Sequence, residues 1–239
     1  MSDCMIVAEI GQTHEGSLGN ALAFIDAVAE TGADAVKFQC HDGDPNYVFR
    51  AGCWVPQDKT RKAYWKRTGF SGRHWQQLRQ RASSRGLQFG ISVFSHLGMG
   101  FMSQFDCDFL KVPCGHADRL IYRLNRELQS PLHDKPRYVS WDYRLAGGGT
   151  AGETETMIHC TPEYPTKIER VGADMVGQED CEGLSSHCPD IGPSIEAAKR
   201  GAIYLEHHVC WDRRQFGPDV SSSITIDELA ELVKAVRAI

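Results

Sequence analysis

The chain has no Cys-x-x-Cys pair, and its nine cysteines (4, 40, 53, 107, 114, 160, 181, 188 and 210) are scattered and odd in number. That argues against a disulfide framework or a cysteine zinc site and fits a reducing cytoplasm. Long apolar runs are missing too. Nothing approaches the ~20 apolar residues of a membrane span, and Met1 to Ile10 shows no basic segment ahead of an apolar one, so no secretory leader is expected. Positive charge is not in excess. A net charge of -5 gives no bulk means of holding a nucleic acid polymer or an acidic membrane, so any anionic ligand must be held by a local site. A soluble, cytoplasmic protein is expected.

What is present is an ordinary globular composition, 41% hydrophobic and 24% charged, in which short apolar runs alternate with amphipathic stretches. That alternation marks a parallel sheet built from βα units. Strand-like runs fall at Met5 to Ile10, Ala35 to Phe38, Gln88 to Val93, Phe109 to Val112, Arg137 to Ser140, Thr156 to His159, Glu182 to Ser185 and Ile203 to His207. Helical patterns occupy Leu18 to Glu30, closed by Gly32, then Trp75 to Arg85, Leu97 to Gln104, Arg119 to Leu128, Ile195 to Arg200 and Ile226 to Ile239. Roughly eight strands in a chain near the usual ~250 residues describe an α/β fold of the (β/α)8 TIM barrel type. One domain over residues 1–239 is expected. The crossover after the fifth strand reads as reduced, because Ala146 to Thr150 is a glycine run too short for a full helix. The polar segment from His41 to Gly72 is a candidate active-site lid by its length.

Catalytic side chains of such a barrel come from the C-terminal ends of the strands and the loops beyond them. Polar residues fall there repeatedly: Glu9, with His14 and Glu15 in its loop; Lys37 and Gln39; Ser92 and Ser95; Lys111; Ser140; His159 and Thr161; Ser185 and His187; His207 and His208. Two lysines facing one mouth among serine hydroxyls make an anion site able to hold a phosphate and a carboxylate together. Neutral imidazoles from the last two strands can ligate a divalent metal. His207 and His208 point to opposite sides of their strand, so at most one faces the site. Singly, each residue has a structural explanation: a strand-end lysine is often salt-bridged, and a strand-end histidine is often a packed hydrogen-bonding residue. Cys114, Cys160, Cys188 and Cys210, near the same mouth, show no activating partner in sequence. The joint pattern is what points to an anion-and-metal site.

Several segments carry a more specific signature. They read Ala8-Glu9-Ile10-Gly11-Gln12-Thr13-His14-Glu15-Gly16, then Gly32 through Lys37 to Gln39, His159-Cys160-Thr161-Pro162-Glu163-Tyr164-Pro165-Thr166, Gly183-Leu184-Ser185-Ser186-His187-Cys188, Glu206-His207-His208-Val209 and Gly217-Pro218-Asp219. In this order they resemble the motifs of the N-acetylneuraminate synthase family, the bacterial sialic acid synthases and their legionaminate and pseudaminate relatives. The resemblance covers nearly the whole chain. It implies a metal-dependent, homodimeric transferase that condenses phosphoenolpyruvate with a sugar aldehyde to give a 2-keto-3-deoxy sugar acid and phosphate. It further implies that His187 and His208 bind the metal, usually manganese, with Mg2+, Fe2+, Co2+ and Zn2+ as alternatives. Lys37, Ser92, Lys111, Ser140 and Ser185 correspond to the phosphoenolpyruvate-binding set. Glu9, Gln39, Tyr164 and Asp219 correspond to residues around the acceptor sugar and the reacting carbons, with Glu9, His187, His208 and Asp219 as the catalytic group.

The chain also departs from the family pattern. Thr13 stands for an asparagine, Cys114 for a serine, His116 for a glutamate and Pro162 for another asparagine, and the family's S-T-G-M reads Ser140-Trp141-Asp142-Tyr143. Family members continue into a small antifreeze-like domain that donates an arginine to the acceptor N-acyl group, and the sequence ends at Ile239 without it. A rebuilt acceptor pocket is therefore expected, with Arg50, Trp54, Lys59, Arg61, Tyr64, Trp65 and Arg67 of the lid segment as candidates to fill it. Two other readings remain open in sequence: a metal-dependent aldolase or isomerase that does not use phosphoenolpyruvate, favoured by Cys114 and Pro162, and a non-catalytic barrel serving as a partner module.

Overall fold

In the computed structural model, residues 3–41, 59–94, 96–114, 134–143, 155–178 and 180–239 are described. Eight parallel strands close a barrel: β1 (Met5–Gly11), β2 (Ala35–Cys40), β3 (Gln88–Val93), β4 (Phe109–Val112), β5 (Arg137–Trp141), β6 (Glu155–Cys160), β7 (Cys181–Ser186) and β8 (Tyr204–Cys210). Each pairs with the next in chain order. β1 also pairs with β8, with Glu9 opposite His208, so the barrel has no open edge. A two-residue strand, β9 (Ile224–Thr225), extends β8 outside the barrel. Between the strands run α1 (Leu18–Thr31), α2 (Lys59–Thr68), α3 (Gly72–Ser84), α4 (His96–Met102), α5 (Gly192–Lys199) and α6 (Ile226–Arg237). No helix among the described residues is long and apolar enough to cross a membrane.

Local chemistry explains where the helices begin. The Ser17 hydroxyl accepts the Asn20 N–H at the start of α1, and α6 opens in a capping box in which Thr225 and Glu228 each accept the other's backbone N–H. Leu229, Leu232, Val233 and Val236 of α6 recur at helical spacing and are fully or nearly fully buried. Arg237 then ties the end of α6 back to the Cys4 carbonyl and the Asp34 carboxylate.

Strand parity divides the side chains into two cores. Ile6, Ala8, Ile10, Val36, Phe38, Ile91, Leu110 and Leu205 belong to the large cluster shared with the helices. The alternate positions Val7, Ala35, Phe109, Ile158 and Tyr204 form a separate cluster inside the barrel, with Met5 and Tyr138 against it. Tyr138 stacks on Tyr204 at 4.1 Å and meets Phe109 edge-on at 5.5 Å. Gly90 gives Phe109 its space, since a Cβ at that position would lie 2.1 Å from the Phe109 ring. This aromatic plug fills the lower barrel. Two residues further along the same strands, on the same inward face, stand Glu9, Lys37, Lys111, Ser140, Cys160 and Glu206, joined by Ser92 and Ser185.

The (β/α)8 barrel read from sequence is therefore present, with most strands a residue or two longer than expected. β8 begins at Tyr204 rather than Ile203 and runs on to Cys210, and α5 begins at Gly192, three residues early. The polar segment from His41 to Gly72 contains α2, which its charged sequence did not announce. The helix expected at Arg119 to Leu128 and the reduced crossover at Ala146 to Thr150 lie outside the described residues.

Candidate active site

Above the plug lies a buried network of charges. Lys37 makes a close ion pair with Glu9, donates to Ser92 Oγ at 2.7 Å and lies 3.7 Å from Glu206. Lys111 donates to Glu206 at 3.0 Å and to Ser185 at 3.3 Å, while Ser185 and Tyr204 donate to the Glu206 carboxylate. Register brings these groups together, because Glu9 is opposite Lys37, Ser92 opposite Lys111 and Ser185 opposite Glu206. The Gly11 N–H donates to Glu9 at 2.7 Å across the irregularity in β1, which aims the carboxylate inward. Burial pushes the Lys37 ammonium down to about 7, against the pull of Glu206. Burial alone would raise the Glu206 carboxyl, but the charges of Lys111 and Lys37 and the hydrogen bonds from Tyr204 and Lys111 hold it well below the usual carboxylate range.

The rim comes from the ends of β6, β7 and β8 and their loops. The His187 ring stacks on Tyr164 at 3.9 Å and meets His208 at 5.4 Å. Its Nδ1–H donates to the Thr161 carbonyl at 2.9 Å, which leaves Nε2 facing the Tyr164 hydroxyl at 2.7 Å. Burial above all, with the Lys37 ammonium nearby, keeps the His208 imidazole well below its ordinary range. Asp219 accepts the Gln12 N–H at 3.0 Å. Gly11 holds a left-handed φ of 53°, and a Cβ there would lie 2.6 Å from Asp219 Oδ2 and 3.1 Å from His208 Nδ1.

Glu9, Lys37, Gln39, Ser92, Lys111, Tyr164, Ser185, His187, His208 and Asp219, all singled out in sequence, line one pocket of about 750 Å³, part of it open to solvent. Ser140 is buried and is not part of the lining, and among the described residues its Oγ has no hydrogen-bond partner. His207 turns away, as its neighbour's inward position requires, and bonds Ser194 of α5 at 2.6 Å.

The NeuB family model matches residues 24–128 and 148–239. The chain belongs to the NeuB family. It is 28% identical to the human N-acetylneuraminate-9-phosphate synthase, over 99% of this chain and 70% of that protein. It is 26% identical to the N,N'-diacetyllegionaminic acid synthase of Legionella pneumophila, over 98% of this chain and 71% of that one. In structure it resembles the N-acetylneuraminic acid synthetase of Leptospira borgpetersenii with a TM-score of 0.79 at 22% identity, covering 98% of this chain and 83% of that one.

Within this NeuB-family barrel the structure adds residues that sequence did not single out for the site. Glu206 is the hub of the floor. Strand periodicity alone would have found it, since it shares a face with Tyr204 and His208. Trp65 of α2, a lid candidate in sequence, does line the pocket, and it begins a wall of stacked rings that runs over His41, at 4.5 Å and 2°, to Phe94, at 4.2 Å from His41, two lining residues that sequence did not single out. Of the lid candidates, Tyr64 and Arg67 bond Glu15 instead. Arg50 and Trp54, like the side chains of Lys59 and Arg61, lie outside the described residues. Cys114 and Cys160 also line the pocket, and the Cys114 thiol donates to the Cys160 carbonyl at 3.4 Å. Hydrogen bonding from Cys114, aided by His187 and Lys111, outweighs burial and keeps Cys160 well below the ordinary thiol range, while Cys114 is pushed up.

The donors on hand for a metal are the two imidazoles. Among the described residues no three His, Cys, Asp or Glu side chains gather as a metal-binding group. His208 Nδ1 is nevertheless buried without a partner among the described residues, and His187 carries the carbonyl-bonded Nδ1–H usual for a ligating histidine. A two-histidine site fits these residues.

Proposed function

We propose that the protein condenses phosphoenolpyruvate with the aldehyde of a sugar, giving a 2-keto-3-deoxy sugar acid of the sialic acid kind and phosphate. The observation that carries this reading is the floor: Lys37 and Lys111, buried on neighbouring parts of the barrel, each with a serine hydroxyl at hand. Relatives that make N-acetylneuraminate 9-phosphate and diacetyllegionaminate support the product class. The lysine ammonium groups and the hydroxyls of Ser92 and Ser185 would neutralise and orient the phosphate and carboxylate. Ser140, whose buried hydroxyl lacks a partner among the described residues, would complete the set once a side chain or substrate reaches it. Glu9, aimed by the Gly11 N–H, would take the proton of the water that adds at C2. His187 and His208 would hold a divalent ion, manganese before magnesium, iron, cobalt or zinc, and such an ion supplies Lewis-acid polarisation of the aldehyde oxygen.

The acceptor would lie between Gln39, Tyr164 and Asp219 and the Trp65–His41–Phe94 wall, whose flat faces suit the C–H face of a sugar ring. A homodimer working in the cytoplasm belongs to the same proposal. A second reading, an aldolase or isomerase that binds no phosphoenolpyruvate, is favoured by Cys114 and Pro162, which line the pocket. Phosphate release with phosphoenolpyruvate across a panel of aldoses, before and after chelation and with manganese restored, separates the two. Aldose-dependent release that chelation abolishes is expected. Cleavage or isomerisation of a sugar with no phosphate released from any pair would overturn the condensation.

A further inference from the structure

Two cysteines approach each other in the pocket wall. Cys160 ends β6 on its inward face, two positions beyond Ile158 of the plug, and Cys114 follows β4. The Cys114 thiol donates to the Cys160 carbonyl at 3.4 Å, and both residues line the pocket. Among the described cysteines Cys114 alone is partly exposed. Cys4, Cys40, Cys107, Cys181, Cys188 and Cys210 are buried and none of them lines the pocket. The pair also adjoins the floor and rim. Cys160 stands opposite Ser185, the hydroxyl partner of Lys111, and its sulfur is 4.0 Å from both ring nitrogens of His187.

We infer that Cys114 and Cys160 are a redox-sensitive dithiol that closes to a disulfide in the presence of a small disulfide such as oxidised glutathione, and that closure takes the anion site out of use. The second half rests on the proposed phosphoenolpyruvate site; the first does not. The chemistry balances as thiol–disulfide exchange. One cysteine, as thiolate, attacks the small disulfide, forming a mixed disulfide and expelling one thiol; the other then displaces the second thiol and forms the protein disulfide. The small disulfide gains the two electrons and two protons that the cysteines give up. The approach of the Cys114 sulfur to the Cys160 backbone makes the second step intramolecular, and the open pocket admits the reagent for the first.

The full chain, treated with oxidised glutathione, trapped by alkylation and digested, should yield a Cys114–Cys160 cross-linked peptide that a dithiol reductant removes. Calorimetric titration with phosphoenolpyruvate should show affinity about tenfold or more lower after oxidation, restored on reduction. In Cys114→Ser the cross-link should be absent, and its affinity should be the same before and after treatment. If that variant fails to fold, Cys160→Ala and the wild-type peptide map carry the same comparison. Only glutathione adducts, or a cross-link to another cysteine, would overturn the dithiol. A Cys114–Cys160 link with undiminished affinity would overturn the loss of the anion site. No binding to the reduced protein would instead refute the phosphoenolpyruvate reading, leaving the peptide map to judge the dithiol alone.

Discussion

Lys111 shows how tightly charge and fold are joined at the floor. Its ammonium lies 3.0 Å from Glu206, both groups are nearly inaccessible to solvent, and removing one partner of such a pair leaves a buried charge at a cost of about 3–5 kcal/mol. Lys111→Met should therefore lower both the denaturation midpoint and the rate of phosphate release, the latter by roughly 10²–10³-fold if the ammonium meets the developing charge. The two losses can be separated. Adding Glu206→Gln removes the stranded carboxylate, so the double variant should regain much of the stability and none of the turnover; recovered turnover would remove Lys111 from the site. Sequence points to Lys111 but not to Glu206. A carboxylate at the centre of an anion site runs against charge complementarity, and only the register that sets it between two lysines explains it. Sequence places Cys114 and Cys160 near the same mouth but not their approach to each other, because it reaches across β5 and no spacing in the chain encodes it.

At the scale of elements, the loop after β1 is the joint on which the pocket turns. Glu15 takes a left-handed φ of 55°, uncommon for a residue with a side chain, and its carboxylate receives the Tyr64 hydroxyl and Arg67 of α2. That clamp sets Trp65, one residue along the helix, against His41. Glu15→Ala should release α2 and raise the acceptor KM by roughly three- to tenfold, in keeping with about 1 kcal/mol for a partly exposed charged hydrogen bond, while the KM for phosphoenolpyruvate holds. An equal rise in both would show that α2 acts on the whole pocket. Gly11→Ala is the harsher change. With φ at 53° and Asp219 Oδ2 2.6 Å from the new Cβ, it should cost about 1–3 kcal/mol in stability and disturb Asp219 and His208 together, read as a lower melting temperature with weakened metal binding. Neither joint was legible in sequence. Lys59–Thr68 has no apolar face, so α2 is held by the clamp rather than by its own pattern. The barrel strands, by contrast, carry their burial in their own residues and were readable nearly to their ends.

For the molecule as a whole, burial of imidazoles governs the response to acid. His14 and His207 are each pushed down by burial to about 4 from an ordinary 6.5, and His208 lies well below that ordinary value for the same first reason. Between pH 6.5 and about 4 the unfolded chain therefore binds protons that the folded chain refuses, so folding weakens as the pH falls through that window. Each of the first two should contribute roughly 3 kcal/mol of loss by about pH 4. Urea midpoints measured across the window should fall steeply, and His207→Asn should flatten the slope. A flat profile in the wild type would mean that these rings are protonated in the fold. The closed sheet itself was legible because βα alternation reports it along the whole chain, whereas the sequence expectations at Arg119 to Leu128 and Ala146 to Thr150 concern residues that the structure does not describe.

The plug of Tyr138, Phe109 and Tyr204 has one more effect. It makes the barrel a tube sealed at one end, so everything that reaches the lysines passes the ring wall at the other. Traffic in such a tube is last in, first out. A molecule bound for the floor must arrive before one that rests at the rim, and an acceptor that settles early bars the way. Initial-rate kinetics should therefore show a compulsory order with phosphoenolpyruvate first, and excess acceptor should inhibit competitively against it.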